Sequence, residues 1–280
     1  MTKRETAGKT RNLAAAAFAA LFGFQPMEEP ALLSGGTPSL DSLGRDTLRL
    51  LTWNLHKQKD PSWRRDFDRL LDQYHPDLLH LQEARVDSMV AALSQRPEPW
   101  SWMASPNLTL PSSGDRIGAF TAARAPLRQG LAMLSEFSEP LGTRKPMLLC
   151  ALPVRGSRKP LLCLNIHSLN FSLGLKGFGS QLDSVLGHAR SHAGPVIFSG
   201  DFNTWNPWRK KFLLERTQAL GFRQVAFADT GPKPGWIPRL TVDRVFYLDR
   251  ETGWNPVSAQ VLNAVRSSDH APLMVSFIRK

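Results

Sequence analysis

The chain predicts a layered α/β domain in which two mixed β-sheets pack face to face, and three observations carry that expectation. From residue 47 onward, short apolar runs alternate with amphipathic stretches of helical length. Two neighbouring runs, 147–154 and 161–166, are separated only by the basic turn 155–160 and read as an antiparallel hairpin, so the sheet is mixed rather than wholly parallel. No GxGxxG follows a strand, which weakens a dinucleotide-binding arrangement and favours two facing sheets.

Taken in order, strands are expected over 48–53, 77–81, 130–134, 147–154, 161–166, 196–198, 242–248 and 273–278, with Gly, Pro, Asn or Asp at their flanks. Helices are expected over 61–74, 87–95, 180–192 and 207–220. The first and last open at Pro61 and Pro207, where proline's missing N–H is no loss. The segment 100–129 lacks a clear period and is expected to hold long loops. Residues 25–46 are rich in Pro, Gly and Ser and read as a linker or a draped arm. The expected organisation is an N-terminal arm over 1–46, disordered or signal-like, and one domain over 47–280.

Of the 280 residues, 35 are Lys or Arg and 24 are Asp or Glu, for a formal charge of +11, and 42% are hydrophobic. This profile excludes a disordered, collagenous or disulfide-stapled chain. Residues 1–46 hold five basic and five acidic side chains, so the whole excess belongs to 47–280. A basic body suits a polyanionic partner such as nucleic acid, an anionic membrane surface or a phosphorylated small molecule; solubility is the plainer reading. The longest apolar run, 13–24, is twelve residues, against the roughly 20 that span a bilayer. Lys3, Arg4, Lys9 and Arg11 give that run a signal-like start, but no small-residue cleavage site follows; the expected location is cytoplasmic, with export left open. Cys150 and Cys163 fit either buried thiols or a cross-strand bridge. No heptad or other association pattern points to a protein partner or an oligomeric state.

The chemistry lies where apolar strands run into polar side chains, at Asn54, Glu83, His167, Asp201 with Asn203, Asp243, and Asp269 with His270. Strand ends on one sheet edge share a cleft, where such groups are costly to desolvate unless they hold a cation or pair with each other. Singly, each has a plainer reading. Asn54 suits a strand-end amide, Glu83 a solvated side chain, His167 a core histidine, residues 200–203 a tight turn and residues 268–270 a helix cap. His56, His75, His80, His188 and His192 read as structural or surface residues. The ordered set, spread over more than two hundred residues, favours a single site.

The order Trp53-Asn54, Gln82-Glu83, Asn165-Ile166-His167, Gly200-Asp201-Phe202-Asn203, Asp243-Arg244-Val245 and Ser268-Asp269-His270 resembles the endonuclease/exonuclease/phosphatase superfamily, the DNase I-like fold, across 47–280. The runs 165–174 and 194–203 are similar to its YafD-like bacterial branch. The resemblance implies a four-layered α/β sandwich with helices outside two mixed sheets, hydrolysing phosphoesters with Mg²⁺ or Mn²⁺. It implies Glu83, with Asn54 and Asp269, as the metal ligands, which suits a hard ion that favours oxygen and keeps several waters. No His and Cys cluster has zinc spacing. It implies His270 as general base oriented by Asp243, His167 as the group that holds a phosphoryl oxygen or protonates the leaving group, and Asp201 and Asn203 as groups that position water and phosphate.

Arg85 stands where DNase I carries a groove-reading arginine, and Arg244 resembles the second member of its AspArg pair. With Trp205 and Arg209 they are expected to touch substrate, and aromatic faces beside cations suit single strands as well as duplex. No carboxylate partner for His167 can be placed. Tyr74 and Tyr247 fall outside the position of the tyrosine that abasic-site nucleases use, so an abasic-site role is not expected. The expected activity is metal-dependent phosphodiester hydrolysis, most readily of DNA or RNA. The alternatives are phosphomonoester or lipid phosphodiester hydrolysis by the same site, and a silent polyanion-binding protein.

Overall fold

The computed structural model describes residues 23–44, 46–140, 142–171, 174–227, 242–250 and 254–279, and their strands form two sheets. One runs β1 (Gln25–Pro26), β5 (Ser101–Thr109), β6 (Arg116–Ala123), β4 (Leu78–Arg85), β3 (Thr47–Asn54), β14 (Leu273–Arg279) and β13 (Trp254–Val261), with β2 (Leu33–Gly35) also on β5. The other runs β11 (Arg223–Gln224), β12 (Asp243–Leu248), β10 (Val196–Asp201), β9 (Leu161–His167), β8 (Arg144–Leu152) and β7 (Arg128–Ser138). Each sheet is mixed: β3 is parallel to β4 and β9 to β10, and both parallel pairs have antiparallel neighbours.

Period-two alternation sorts each central strand into two faces. Leu48, Leu50, Leu78, Leu148, Cys150, Cys163, Ile197 and Val245 point between the sheets and form one core. The alternate residues Leu51, Trp53, Leu79 and Leu81 face out onto Phe67, Leu70 and Leu71 of α1 (Trp63–Tyr74) and Met89 and Leu93 of α2 (Val86–Ser94). On the second sheet, Leu149, Leu164, Ile166 and Phe198 face Phe178, Leu182 and Val185 of α3 (Lys176–Ser191) and Leu213 of α4 (Pro207–Gln218). The result is a four-layered sandwich, with helices outside two mixed sheets. Helix α4 starts on Pro207, and the Asn206 side chain accepts the Trp208 N–H at 2.8 Å, a standard N-terminal cap.

The long-loop expectation for 100–129 is overturned, since β5 and β6 occupy most of it. Both faces of these strands are buried by small residues, Ala104, Ser105, Ala119 and Ala122 among them, so polarity does not alternate. Gly118 sits so close to β5 that an added Cβ would meet the Ser105 carbonyl oxygen at 2.1 Å. Strand β13 also lies beyond the expected set; Pro256 stands at its bulge. The described part of the arm is not a free linker. β1 and β2 extend the sheet at β5, and buried Leu43 bridges to Val154 in the second sheet's layer. The signal-like residues 1–22 lie outside the described residues. Among the described residues no helix is long and apolar enough to cross a membrane. Cys150 and Cys163 face each other across β8 and β9 as buried free thiols.

Candidate active site

Along the inward faces, the alternation that builds the core changes character toward one end of the sandwich. Leu48 and Leu50 give way to Thr52 and Asn54, Leu78 to His80 and Gln82, Leu161 and Cys163 to Asn165 and His167, and Ile197 to Ser199 and Asp201. The middle rung is a buried polar layer that ties the sheets together. Gln82 Nε2 donates to Asn165 Oδ1 at 2.8 Å, Asn165 Nδ2 donates to the Phe120 carbonyl at 3.0 Å, and His80 Nδ1 lies 2.7 Å from Ser199 Oγ. Such a layer resists shear between the sheets because breaking any bond leaves a buried polar group unpaired. The last rung opens into a cleft of about 390 Å³ lined by Asn54, Glu83, His167, Asp201, Asn203, Asp269 and His270.

Two backbone features aim the side chains. Alternation alone turns Gln82 inward and Glu83 toward the helices, but the register shifts between Leu81 and Ala84 and Glu83 adopts φ +48°, which swings its carboxylate into the cleft. Gly200 has φ +140°, and a Cβ there would lie 2.0 Å from the Ile166 carbonyl oxygen, so only glycine lets β10 run against β9 and deliver Asp201 beside His167. Gly200→Ala is expected to cost about 3 kcal/mol of stability. Urea midpoints check it, and an unchanged midpoint would refute this account of the turn.

Seven of the eight side chains form one connected cluster, which Asn203 joins through its backbone. Asp201 Oδ2 accepts from Asn54 Nδ2 at 3.0 Å and lies 3.5 Å from His167 Nε2 and 3.9 Å from His270 Nε2. Its other oxygen accepts the Asn203 N–H at 2.9 Å. His270 Nδ1 is 2.7 Å from Asp243 Oδ2, and its Nε2 is 4.0 Å from Asp269. Glu83 lies 3.9 Å from His167 Nε2, so His167 does have carboxylate neighbours, Asp201 and Glu83, which the sequence did not reveal.

Burial and charge set the proton inventory. Burial pushes His167 down to about 3, with Lys145 adding to that, so its ring is neutral at pH 7. Burial also works against protonation of His270, but the Asp243 charge and hydrogen bond outweigh it and hold the ring up at about 10. Burial would raise Glu83, yet the positive charge around it outweighs burial and holds the carboxyl low; with His167 neutral, that charge comes from Lys57 and Lys145. Asp201 is raised by burial and by Asp243.

Three of the four residues expected to touch substrate are turned elsewhere. Arg244 follows Asp243 on the strand and therefore faces the opposite side; it is buried and donates to Thr204 Oγ1 at 3.1 Å. Arg209 is buried beneath the cleft wall and donates to the Leu169 carbonyl at 2.6 Å. Arg85 donates from Nε to the Lys57 carbonyl at 2.8 Å and pairs with Asp115 at 3.5 Å, bracing the turn at 56–58. Trp205 is half exposed and hydrogen-bonds Asn170, a residue of the cleft lining.

Other lining residues were not expected. His56, Lys57 and Gln58 all have positive φ, and this strained turn places His56 3.3 Å from Asp269 and Lys57 Nζ 2.7 Å from Glu83. His56 is thus a cleft residue and not a bystander. Lys145, Glu139, Asn170 and Phe171 also line the cleft. Without Gly or Asn to mark the left-handed turn, no local sequence signal pointed to 56–58, although Lys57 three residues after Asn54 could have been weighed with it.

This architecture, with its cleft at the strand ends, places the chain among the DNase I-like sandwiches. The chain belongs to the endonuclease/exonuclease/phosphatase family, whose model matches residues 51–270. It is 29% identical over 252 residues to a UPF0294 protein of Photorhabdus laumondii, covering 86% of this chain and 87% of that one. Among solved structures it is similar to an endonuclease/exonuclease/phosphatase from Beutenbergia cavernae, with TM-score 0.64, 18% identity and coverage of 84% and 72%. It is also similar to D. rerio TDP2 complexed with a single-strand DNA product, with TM-score 0.62, 16% identity and coverage of 82% and 98%. The last two likenesses concern the fold. Members of the family are hydrolytic phosphoesterases, typically dependent on a divalent metal.

Proposed function

We propose that this protein is a divalent-metal-dependent phosphodiester hydrolase that acts on nucleic acid. The observation that carries the reading is the convergence of Asn54, Glu83, His167, Asp201, Asp243, Asp269 and His270 from six strands or strand ends, each side chain within 4.0 Å of another.

The donor set fits a hard divalent ion such as Mg²⁺ or Mn²⁺. Four carboxylates meet with oxygen donors only, apart from the histidines, and buried Asp243 Oδ1 has no hydrogen-bond partner among the described residues. Glu83, Asn54 and Asp269 would hold the ion. Asp201, Asp243 and His270 bring their ligand atoms within 4.8 Å of one another and form a second acidic face of the same cleft. When bound, the ion would supply charge neutralisation at the phosphoryl oxygens.

Within this reading the chain's own groups divide the remaining work. His270, held by Asp243, takes a proton from the attacking water once its own proton has left. Asp201 and Asn203 fix the water and a phosphoryl oxygen, and Lys57 and Lys145 supply cationic contacts to developing charge. His167, neutral at pH 7, is better suited to hold an oxygen through its one N–H than to protonate a leaving group.

Nicking of plasmid and cutting of labelled single- and double-stranded DNA and RNA with Mg²⁺ or Mn²⁺ test this reading. Glu83→Gln is expected to reduce cleavage roughly 10²-fold or more and to weaken Mn²⁺ binding measured by calorimetry. Pure protein that cuts none of these substrates defeats the proposal, and release of phosphate from inositol phosphates or phosphocholine from sphingomyelin would select the monoester or lipid reading.

A further inference from the structure

Among the described residues three aromatic side chains are exposed, Phe171, Trp205 and Trp208, and two of them border the cleft. Phe171 lines it with 64% of its surface exposed, and the Trp205 indole N–H donates to Asn170 Oδ1, in the same lining, at 2.8 Å. An exposed aromatic left free to rotate would be unremarkable. These two are held. The Asn170 and Phe171 N–H groups both reach Glu139 Oε1, at 2.8 and 3.4 Å, and Glu139 is pinned by Lys145 at 3.5 Å. Behind Trp205, the buried Arg209 guanidinium lies 5.6 Å from the indole centroid and 5.1 Å from that of Phe178, so the indole rests on a cation that itself rests on the core. Polar chemistry thus holds the Trp205 ring, and the backbone that carries Phe171, beside a cleft in which carboxylates and lysines meet.

We propose that Phe171 and Trp205 form a stacking ledge for unpaired nucleobases next to the scissile phosphate, so that the preferred substrate is single-stranded nucleic acid. This deepens the nuclease reading and rests on it for the position of the phosphate. A ring fixed in advance, as that of Trp205 is, loses little side-chain entropy on binding. They offer any base a π-face, whereas bases in a duplex are already stacked on one another. The cations that this site needs for the backbone are Lys57 and Lys145, both in the lining. Arg209 takes the different part of buttress.

The test separates the two readings. Full-length protein in EDTA, where cleavage is blocked, is titrated by fluorescence anisotropy with labelled oligo(dT) and with a phosphodiester chain of equal length carrying abasic tetrahydrofuran units. The oligo(dT) should bind tighter by roughly tenfold per stacked base. The double variant Phe171→Ala, Trp205→Ala should erase that preference and leave the abasic chain's affinity unchanged, while Trp205→Phe, which keeps a ring, should retain most of it. Equal affinity for the two probes, or a preference that survives in the double variant, overturns the ledge. Cleavage with Mn²⁺ is scored separately: binding with the stated preference but no cutting sinks the nuclease reading alone, and cutting without the preference sinks the ledge alone.

Discussion

Replacing His270 with alanine is expected to lower hydrolysis by roughly 10²–10⁴-fold while leaving the fold intact, because its ring is a proton-handling group at the rim and not part of the core. Asp243→Asn should come close to that loss by a different route. With the carboxylate, His270 is held up at about 10 and is charged throughout the neutral range; without it, burial dominates and the ring titrates well below that value. The sign matters for pH dependence. A folded pKa above the unfolded value of about 6.5 stabilises the protein fully below that pH, and the contribution disappears as pH rises toward 10. Asp243→Asn should therefore flatten the alkaline limb of stability. For activity the charged ring is an obstacle, since a base must first lose its proton. Sharing the surrounding carboxylates with a cation weakens their hold on that proton. Histidine NMR titrations with and without Mg²⁺ should show the His270 transition move down on addition of the ion. An unmoved transition would remove the link between metal and base.

How much of this was legible in the sequence depends on the backbone. Asn54, His167, Asp201 and Asp243 could be read because each is the polar end of an apolar, alternating strand, and alternation survives in the fold. Glu83 was found through its company with Gln82, since period two alone would have sent it to the helical side; the bulge that rescues it leaves no local signature. The arginines fail for the complementary reason. Closeness in sequence to the cleft says nothing about face, and Arg244 and Arg209 both belong to the side packed against helices. Strands β5 and β6 escaped notice because small side chains fill both faces, a pattern that looks aperiodic on paper and close-packed in space.

The same buried layer that aligns the cleft should make the protein sensitive to acid. His80 lies fully buried between the sheets, held down to about 3 by burial, and its Nε2 has no hydrogen-bond partner among the described residues, so a proton there would be both desolvated and unpaired. His167 is likewise about 3. In the unfolded chain both rings take up protons near 6.5, so unfolding binds protons below that pH and stability falls as pH drops toward 3. Each group contributes about 1.4 kcal/mol per pH unit in that window, so the pair removes on the order of 7 kcal/mol by pH 4. That is comparable with the whole stability of an ordinary domain, about 5–15 kcal/mol. Glu83, held below the ordinary carboxylate range by its cationic neighbours, adds a further loss as pH falls below its unfolded value. Asp77 and Asp201 act in the opposite sense, because burial raises both and their protonation in acid relieves the folded state, but each is also stabilised by hydrogen bonds that limit the relief. Urea denaturation at pH 7 and pH 4 measures the sum, and His80→Gln, which keeps a polar group facing Ser199 but cannot be protonated, should halve the histidine part of the slope. Equal stability at the two pH values would mean that these rings are hydrated in the folded protein and that the layer between the sheets is wetter than its packing implies.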